Sequence, residues 1–175
     1  TAPGNRMYLD IVVDKGKRVK ISDIDFVGNE AFTDRRLRKT MKKTKQKSIN
    51  IFKPSKYIDA EYKADKEKFI AFYNKHGYRD ATILNEKITD LNHKRIGLEL
   101  TIEEGTQYYL RNIAWVGNTK HPSESLGRVL GMKKGDIYDQ EYLNKRLIQD
   151  DDAVLSQYMD EGYLFASVDP VEANI

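Results

Sequence analysis

The sequence predicts an α+β chain of tandem β-α-α-β-β units, each a three-stranded sheet covered by two helices. Three observations carry that expectation. The stretch Leu9-Asp10-Ile11-Val12-Val13, then Gly16, Val19 to Val27 and Gly28-Asn29, returns 89 residues later as Leu98-Glu99-Leu100-Thr101-Ile102, Gly105, Tyr108 to Val116 and Gly117-Asn118. A second signature, Tyr73-x-x-x-Gly77-Tyr78-x-x-Ala81, answers Tyr158-x-x-x-Gly162-Tyr163-x-x-Ala166. Between these landmarks each copy holds a short and a long helical pattern. Self-similarity at a fixed period marks a repeat architecture, so one unit is read against the other.

Tyr8 to Val13 reads as a strand ending in the turn Asp14-Lys15-Gly16. Val19, Ile21, Ile24 and Phe26 form the next strand, and their alternation slips near Ser22-Asp23, which predicts a bulge. Gly28-Asn29 closes it in turn chemistry. Thr33 is placed to cap a short helix through Met41, with Leu37 and Met41 on one face. In the second copy Pro122-Ser123 precedes Leu126 and Leu130, and Gly131 stops the helix. Lys42 to Lys56 reads as an extended loop, four residues longer than its counterpart, with Pro54 blocking a helix.

Asp59 opens a longer helix to Lys75 with the stripe Tyr62, Phe69, Tyr73. The second copy repeats it as Leu143, Leu147, Val154, Tyr158. An acid interrupts each stripe at the same place, Asp65 and Asp150. Gly77 and Gly162 then end the helices in the left-handed conformation that glycine favours, and Tyr78 and Tyr163 fold back on the last turn. Thr82 to Thr89 is a strand, Asp90 to His93 a hairpin loop, and Ile96 to Ile102 the returning strand. Residues 17–105 make one complete unit, residues 106–175 a second that stops after its second strand at Val168 to Ile175, and residues 1–16 the closing strand of a preceding unit.

Two units of this size each bury only about 60% of their unfolded surface. No apolar run approaches the roughly 20 residues of a membrane-spanning helix, and the N-terminus has no signal-peptide pattern. The absence of cysteine excludes disulfides, thiolate metal sites and a cysteine nucleophile. Residues 17–105 carry 21 Lys/Arg against 14 Asp/Glu, whereas residues 106–175 carry 7 against 11. Opposite net charges argue against a single electrostatic partner for the whole chain.

No constellation points to catalysis, a cofactor or a metal. His76 lies at a helix end, His93 in a hairpin loop and His121 beside Pro122, with no spacing that links them to a nucleophile or a ligand set. Asp65 and Asp150 fall in separate units and read as structural carboxylates rather than an acid–base pair. Gly28-Asn29 and Gly117-Asn118 match no phosphate-loop spacing. Arg35, Arg36, Arg38, Lys39, Lys42, Lys43, Lys45 and Lys47 form a basic run with no acid before Asp59. Such a run can meet phosphates, but few aromatics interleave with it, so a nucleic-acid partner is not expected.

The order and double occurrence of Gly28-Asn29 and Gly117-Asn118, Asp65 and Asp150, Gly77-Tyr78-x-x-Ala81 and Gly162-Tyr163-x-x-Ala166, with Glu104-Gly105 closing the unit, resemble the POTRA (polypeptide-transport-associated) domains of the outer-membrane-protein assembly factor BamA family. The resemblance implies a non-catalytic array on the periplasmic side of the bacterial outer membrane, attached to a transmembrane barrel. Its implied partners are unfolded outer-membrane proteins, accessory lipoproteins and neighbouring POTRA domains. The basic run reads first as a solvated helix face and loop; among functional readings, placing the array beside a bilayer favours the membrane surface. A generic interaction module of the cell-division or secretion type is the alternative.

A three-stranded sheet has two open edges, and an open edge offers unpaired backbone groups to an extended chain. The strand after the second helix is the expected client edge: Ala81, Thr82, Ile83, Leu84, Asn85, Glu86 and Lys87 in the complete unit, and Leu164 to Asp169 in the next. Strict alternation is expected along it, with Thr82, Leu84 and Glu86 on one face.

Overall fold

The computed structural model describes residues 9–14, 18–46 and 55–172. The first unit comprises β1 (Lys20–Val27), α1 (Asp34–Thr40), α2 (Asp59–Lys75), β2 (Thr82–Asn92) and β3 (Arg95–Glu103). The strand order is β1-β3-β2, with β1 parallel and β2 antiparallel to β3. A parallel pair needs a long crossover, and α1 and α2 lie within it. The sheet is therefore mixed, with the last strand of the unit at its centre.

Period-2 burial makes β3 the core strand. Ile96, Leu98, Leu100 and Ile102 are buried while Glu99 and Glu103 are exposed. On β1 the register slips between Ile21 and Asp23, so Ile21 and Ile24 face the same way despite their odd spacing. Against this face pack Leu37 and Met41 from α1 and its end, and Tyr62, Phe69 and Tyr73 from α2. Phe32, in the turn before α1, meets Phe72, Tyr73, His76 and Tyr78 edge-on at 4.9–5.7 Å between centroids. Each such pair contributes about 0.5–1.5 kcal/mol beyond its buried area. This makes Phe32 the anchor that holds the β1–α1 turn to the end of α2.

Two carboxylates tie the unit together. Asp65 is fully buried on α2; its Oδ2 accepts the backbone N–H groups of Lys43 (2.8 Å) and Thr44 (2.6 Å), and its Oδ1 accepts Lys68 Nζ. Burial pushes its pKa up, but the Thr44 and Lys43 N–H groups outweigh that and hold it below the ordinary value. Glu104, just past β3, accepts the amides of Glu30 and Ala31 and the Tyr73 hydroxyl (2.8 Å). Burial and then the Glu104 bond raise the Tyr73 pKa, so the phenol stays a donor.

The hairpin is tighter than the sequence suggests. Instead of a loop over Asp90 to His93, β2 runs to Asn92 and β3 starts at Arg95, leaving His93-Lys94 as the turn. Asn92 accepts the Lys94 amide through its side chain, and a register shift between Asp90 and Asn92 lets the strands meet without a left-handed residue in the turn.

The second unit departs from the expected copy. It has α3 (Ser123–Leu130), α4 (Gln140–Asn144), a π-helical turn (Lys145–Gln149) and α5 (Val154–Asp160) around Leu126, Leu130, Met132, Leu147 and Val154. The expected continuous long helix is broken at Asp150, whose backbone is extended. Arg146 gathers Asp150 and Asp152 and also donates through Nε and Nη2 to the Val129 carbonyl near the end of α3. Asp150 thus does not repeat the buried role of Asp65; the longer first-copy loop supplies backbone donors to Asp65, and here an arginine takes their place. The expected stripe still faces the core across the break. Among the described residues, the segments expected as strands at 9–13, 108–116 and 168–172 form no ladder beyond an isolated bridge from Tyr109 to Ile137. In the first unit the ladders of β1 and β2 both run along β3, and an isolated bridge joins Lys20 to Lys56. No helix among the described residues is long and apolar enough to cross a membrane.

The two units meet at the end of α2. Tyr108 N–H donates to the Gly77 carbonyl (2.9 Å), Gln107 Nε2 to the His76 carbonyl (2.9 Å), and Tyr108 OH to Asp80 (2.7 Å). Arg79 pairs with Glu172. A Cβ on Gly77, whose φ is +86°, would stand 2.8 Å from Ile137 Cγ2 and 2.9 Å from the Tyr108 carbonyl. Gly162, at φ +91°, has nothing within 4 Å.

Two predictions follow from these contacts. Asp65→Ala strands the buried Thr44 N–H and the part-buried Lys43 N–H and should cost about 2–4 kcal/mol in chemical denaturation. Because the folded-state pKa of Asp65 is depressed, its contribution is present above the unfolded value near 3.8 and is lost as pH falls through the lower folded value. Asp65→Asn should therefore flatten the acid limb of the stability profile; an unchanged limb would refute the assignment. Separately, Gly77→Ala and Gly162→Ala share the left-handed penalty of about 1–2 kcal/mol. Only Gly77→Ala should also speed hydrogen exchange at the Tyr108 amide, since only there does the methyl press on the neighbouring unit.

Candidate functional site

The two sheet edges are unequal. On β1, Ile21 N–H donates to the Ser55 carbonyl (2.7 Å), and Tyr57 N–H donates to the Val19 carbonyl (3.0 Å). Further along, Ile24 N–H donates to Gln46 Oε1 (3.2 Å) while its carbonyl accepts Arg38 Nη1 (2.6 Å). The long loop and α1 thereby cover the outer edge of β1 as far as Ile24, one of the ways proteins block strand addition.

Among the described residues the outer edge of β2 has no such cover. β3 is its sheet partner, and nearly every residue along it is exposed. Its side chains include three exposed aliphatics, Leu84 (61%), Ile88 (50%) and Leu91 (50%). Such a long apolar edge is a ready template for another extended chain. Lys66 on α2 pairs with Glu86 and pins the strand to the helix layer without covering its edge.

Of the expected edge residues, Thr82, Ile83, Leu84, Asn85, Glu86 and Lys87 lie in β2. Ala81 does not: it precedes the strand and is buried in the core. The strict alternation also fails, because the register shifts between Ile83 and Asn85 and leaves Leu84 as a bulged residue. Ile83 packs partly against the core. In the second unit Leu164 and Phe165 are exposed, at 69% and 100%, in a segment without a ladder.

The basic run divides. Arg35, Lys39, Lys42, Lys43 and Lys45 are exposed. Arg38 is committed to the Ile24 carbonyl and to Asp34 and Asp25. Arg36 lies over the rings of Phe32 and Phe72 and bonds His76. Lys47 lies outside the described residues. Two of the seven described cations are thus structural, which the sequence pattern did not distinguish.

The repeated short motifs do the same work twice. Asn29 Nδ2 donates to the Phe32 carbonyl and Asp34 Oδ1; Asn118 Nδ2 donates to the His121 carbonyl and Ser123 Oγ. Each asparagine fixes the start of the short helix. Tyr78 N–H returns to the Tyr73 carbonyl, and Tyr163 N–H to that of Tyr158, both at 3.0 Å, with Gly77 and Gly162 left-handed between. Gly28 admits a close approach: a Cβ there would stand 2.3 Å from the Ile102 carbonyl. At Gly117 nothing lies within 4 Å. Among the described residues no group of His, Asp or Glu is arranged to hold a metal ion.

Comparison with known proteins agrees with this geometry. The chain is similar to the outer membrane protein assembly factor BamA of Neisseria meningitidis, at 30% identity over 142 residues, covering 79% of this chain and 18% of the relative. It is also similar to a putative outer membrane protein assembly factor of Treponema pallidum, at 27% identity over 164 residues, covering 90% of this chain and 18% of the relative. The chain thus spans about a fifth of the length of these relatives. The crystal structure of POTRA3-5 of Haemophilus influenzae BamA shares its fold, with a TM-score of 0.59 at 20% identity over 78% of this chain and 54% of that one. A family model described as POTRA, surface antigen variable number repeat, matches residues 19–105 and again 108–175. Those two matches cover most of the sequence, and the chain belongs to the POTRA family.

Proposed function

We propose that this chain is part of the periplasmic POTRA array of an outer-membrane-protein assembly factor. Its open β2 edge receives extended segments of unfolded outer-membrane proteins by strand addition. The observation that carries the reading is the asymmetry of the sheet: β1 is covered as far as Ile24 by residues 46, 55–57 and Arg38, while β2 presents its outer edge beside Leu84, Ile88 and Leu91. Backbone hydrogen bonds ignore sequence, which suits a receptor for many unrelated β-rich clients. The named relatives are assembly factors, which supports the same setting here. Accessory lipoproteins and neighbouring POTRA domains are the other partners in this reading. Its work is binding rather than catalysis, and the exposed part of the basic run faces anionic lipid rather than nucleic acid.

The test is photo-crosslinking to a peptide of alternating apolar and polar residues taken from a transmembrane β-strand. A probe at Glu86 or Ile88 should capture the peptide, and one at Asp25 should not. Proline at Ile83 or Asn85, at whichever amide points away from β3, should abolish capture at least tenfold while leaving the circular dichroism spectrum unchanged. Capture that survives in both proline variants would sink the proposal.

A further inference from the structure

We propose that the β2 edge accepts a segment of only six residues, in one register, and that Lys87, Ile88 and Asp90 select its sequence. The inference rests on the reading of β2 as the edge that receives clients, and adds which clients fit. β2 is an 11-residue strand, but its ladder with β3 is interrupted twice. The register shifts between Ile83 and Asn85 and again between Asp90 and Asn92, which leaves Leu84 and Leu91 as bulged residues. Between them, Asn85 to Asp90 pair without a break against Thr101 to Ile96.

A bulge bends its strand and breaks the alternation of amides that point inward and outward. A straight chain in step with Asn85 to Asp90 is therefore out of step beyond either bulge. At 3.4 Å per residue the unbroken stretch is about 20 Å long, whereas a transmembrane β-strand has about 9–11 residues. The edge thus holds roughly half of such a strand and leaves the remainder unpaired. Leu91 also turns away from the edge. Its Cδ1 lies 3.8 Å from the position of a Cβ on Gly97, so the side chain reaches back over the open face of β3.

The two sides of this window differ chemically. Glu86, Ile88 and Asp90 stand opposite the buried Leu100, Leu98 and Ile96, and so line the helix side. Asn85, Lys87 and Thr89 stand opposite Thr101, Glu99 and Gly97 and line the open side. Glu86 is taken by Lys66 of α2, whose Nζ also lies 4.9 Å from the centre of the Tyr62 ring. Among the described residues Lys87 and Asp90 enter no salt bridge, and Ile88 is half exposed. Directly opposed side chains are the pairs that stabilise a sheet, and opposite charges are favoured there. The fitting segment therefore carries an acid opposite Lys87, a β-branched residue opposite Ile88 and a cation opposite Asp90. Its order is acid, apolar, any residue, cation, or the reverse for the other strand direction. Exchanging the two charges sets like against like in both pairs, which rejects the segment.

Synthetic peptides test this. One is the hexamer Thr-Val-Glu-Val-Thr-Lys, made also in reversed order; the other is a decamer with two further alternating residues at each end. In fluorescence anisotropy with the unmodified chain, the decamer should bind within about twofold of the hexamer. Deleting Leu84 straightens the edge and should give the decamer an advantage of about fivefold, the upper worth of one further cross-strand pair. Bound hexamer or decamer should slow hydrogen exchange only at amides within Asn85 to Asp90, a readout that needs no variant. Asp90→Lys, at an exposed position, should reverse the preference between the hexamer and its version ending in glutamate. A decamer that binds the unmodified chain about fivefold tighter, protection that extends to Thr82 or Ile83, or a preference unmoved by Asp90→Lys would each overturn the proposal. Binding of neither peptide would remove the strand-addition reading and this inference with it. Binding with protection beyond the bulges would leave that reading intact and refute only the six-residue window.

Discussion

Both outer strands of the complete unit reach one another only through β3. That single topological fact orders the rest of the structure. The strand that arrives last in the chain stands in the middle, so the sheet exists only once the whole unit has been threaded. β1 and β2 wait on opposite sides of the same partner. The two carboxylates then act around this frame. Glu104, immediately after β3, gathers the turn that follows β1 and the hydroxyl of Tyr73 on α2, so the end of the central strand also locks the helix layer. Asp65 performs the corresponding task on the far side by holding the loop after α1 against α2.

The same arrangement separates what binds from what supports. A central strand buries its face and both its edges, and nothing can be added to it. Of the outer strands, β1 is closed by a loop and an arginine, and β2 keeps its edge. The long loop thus has a function that its irregular sequence hides. It seals one edge, supplies the donors for Asp65, and leaves the opposite edge as the unit's only sheet surface without such a cover among the described residues. Function here is a matter of which backbone groups are left over after folding.

How much of this was visible in the sequence follows from the range of each interaction. The Gly28-Asn29 and Gly77-Tyr78 motifs act within a few residues, so their spacing predicts their geometry, and both copies fold them alike. The bulge near Ser22-Asp23 was readable because a period-2 pattern shows its own slip. The break in the second long helix was not, because it depends on Arg146 reaching two aspartates and a carbonyl on another helix. Nor was the sealing of β1, since Gln46 lies 22 residues from Ile24 in sequence. The aromatic node at Phe32 was missed for the same reason: an isolated phenylalanine in a turn has no periodic signal. The hairpin was misplaced because polar residues at Asp90 to His93 resemble a loop, whereas exposed edge strands tolerate them as well.

The joint at Gly77 has a consequence for what holds the two units against each other. Its central contact is between main-chain atoms, the Tyr108 amide and the Gly77 carbonyl, with a glycine that leaves no room for a side chain. Gln107, Asp80, Arg79 and Glu172 add side-chain contacts around that bond. The contact between the two units is therefore set first by backbone and only then by side chains, so Gly77 constrains it more tightly than the residues around it.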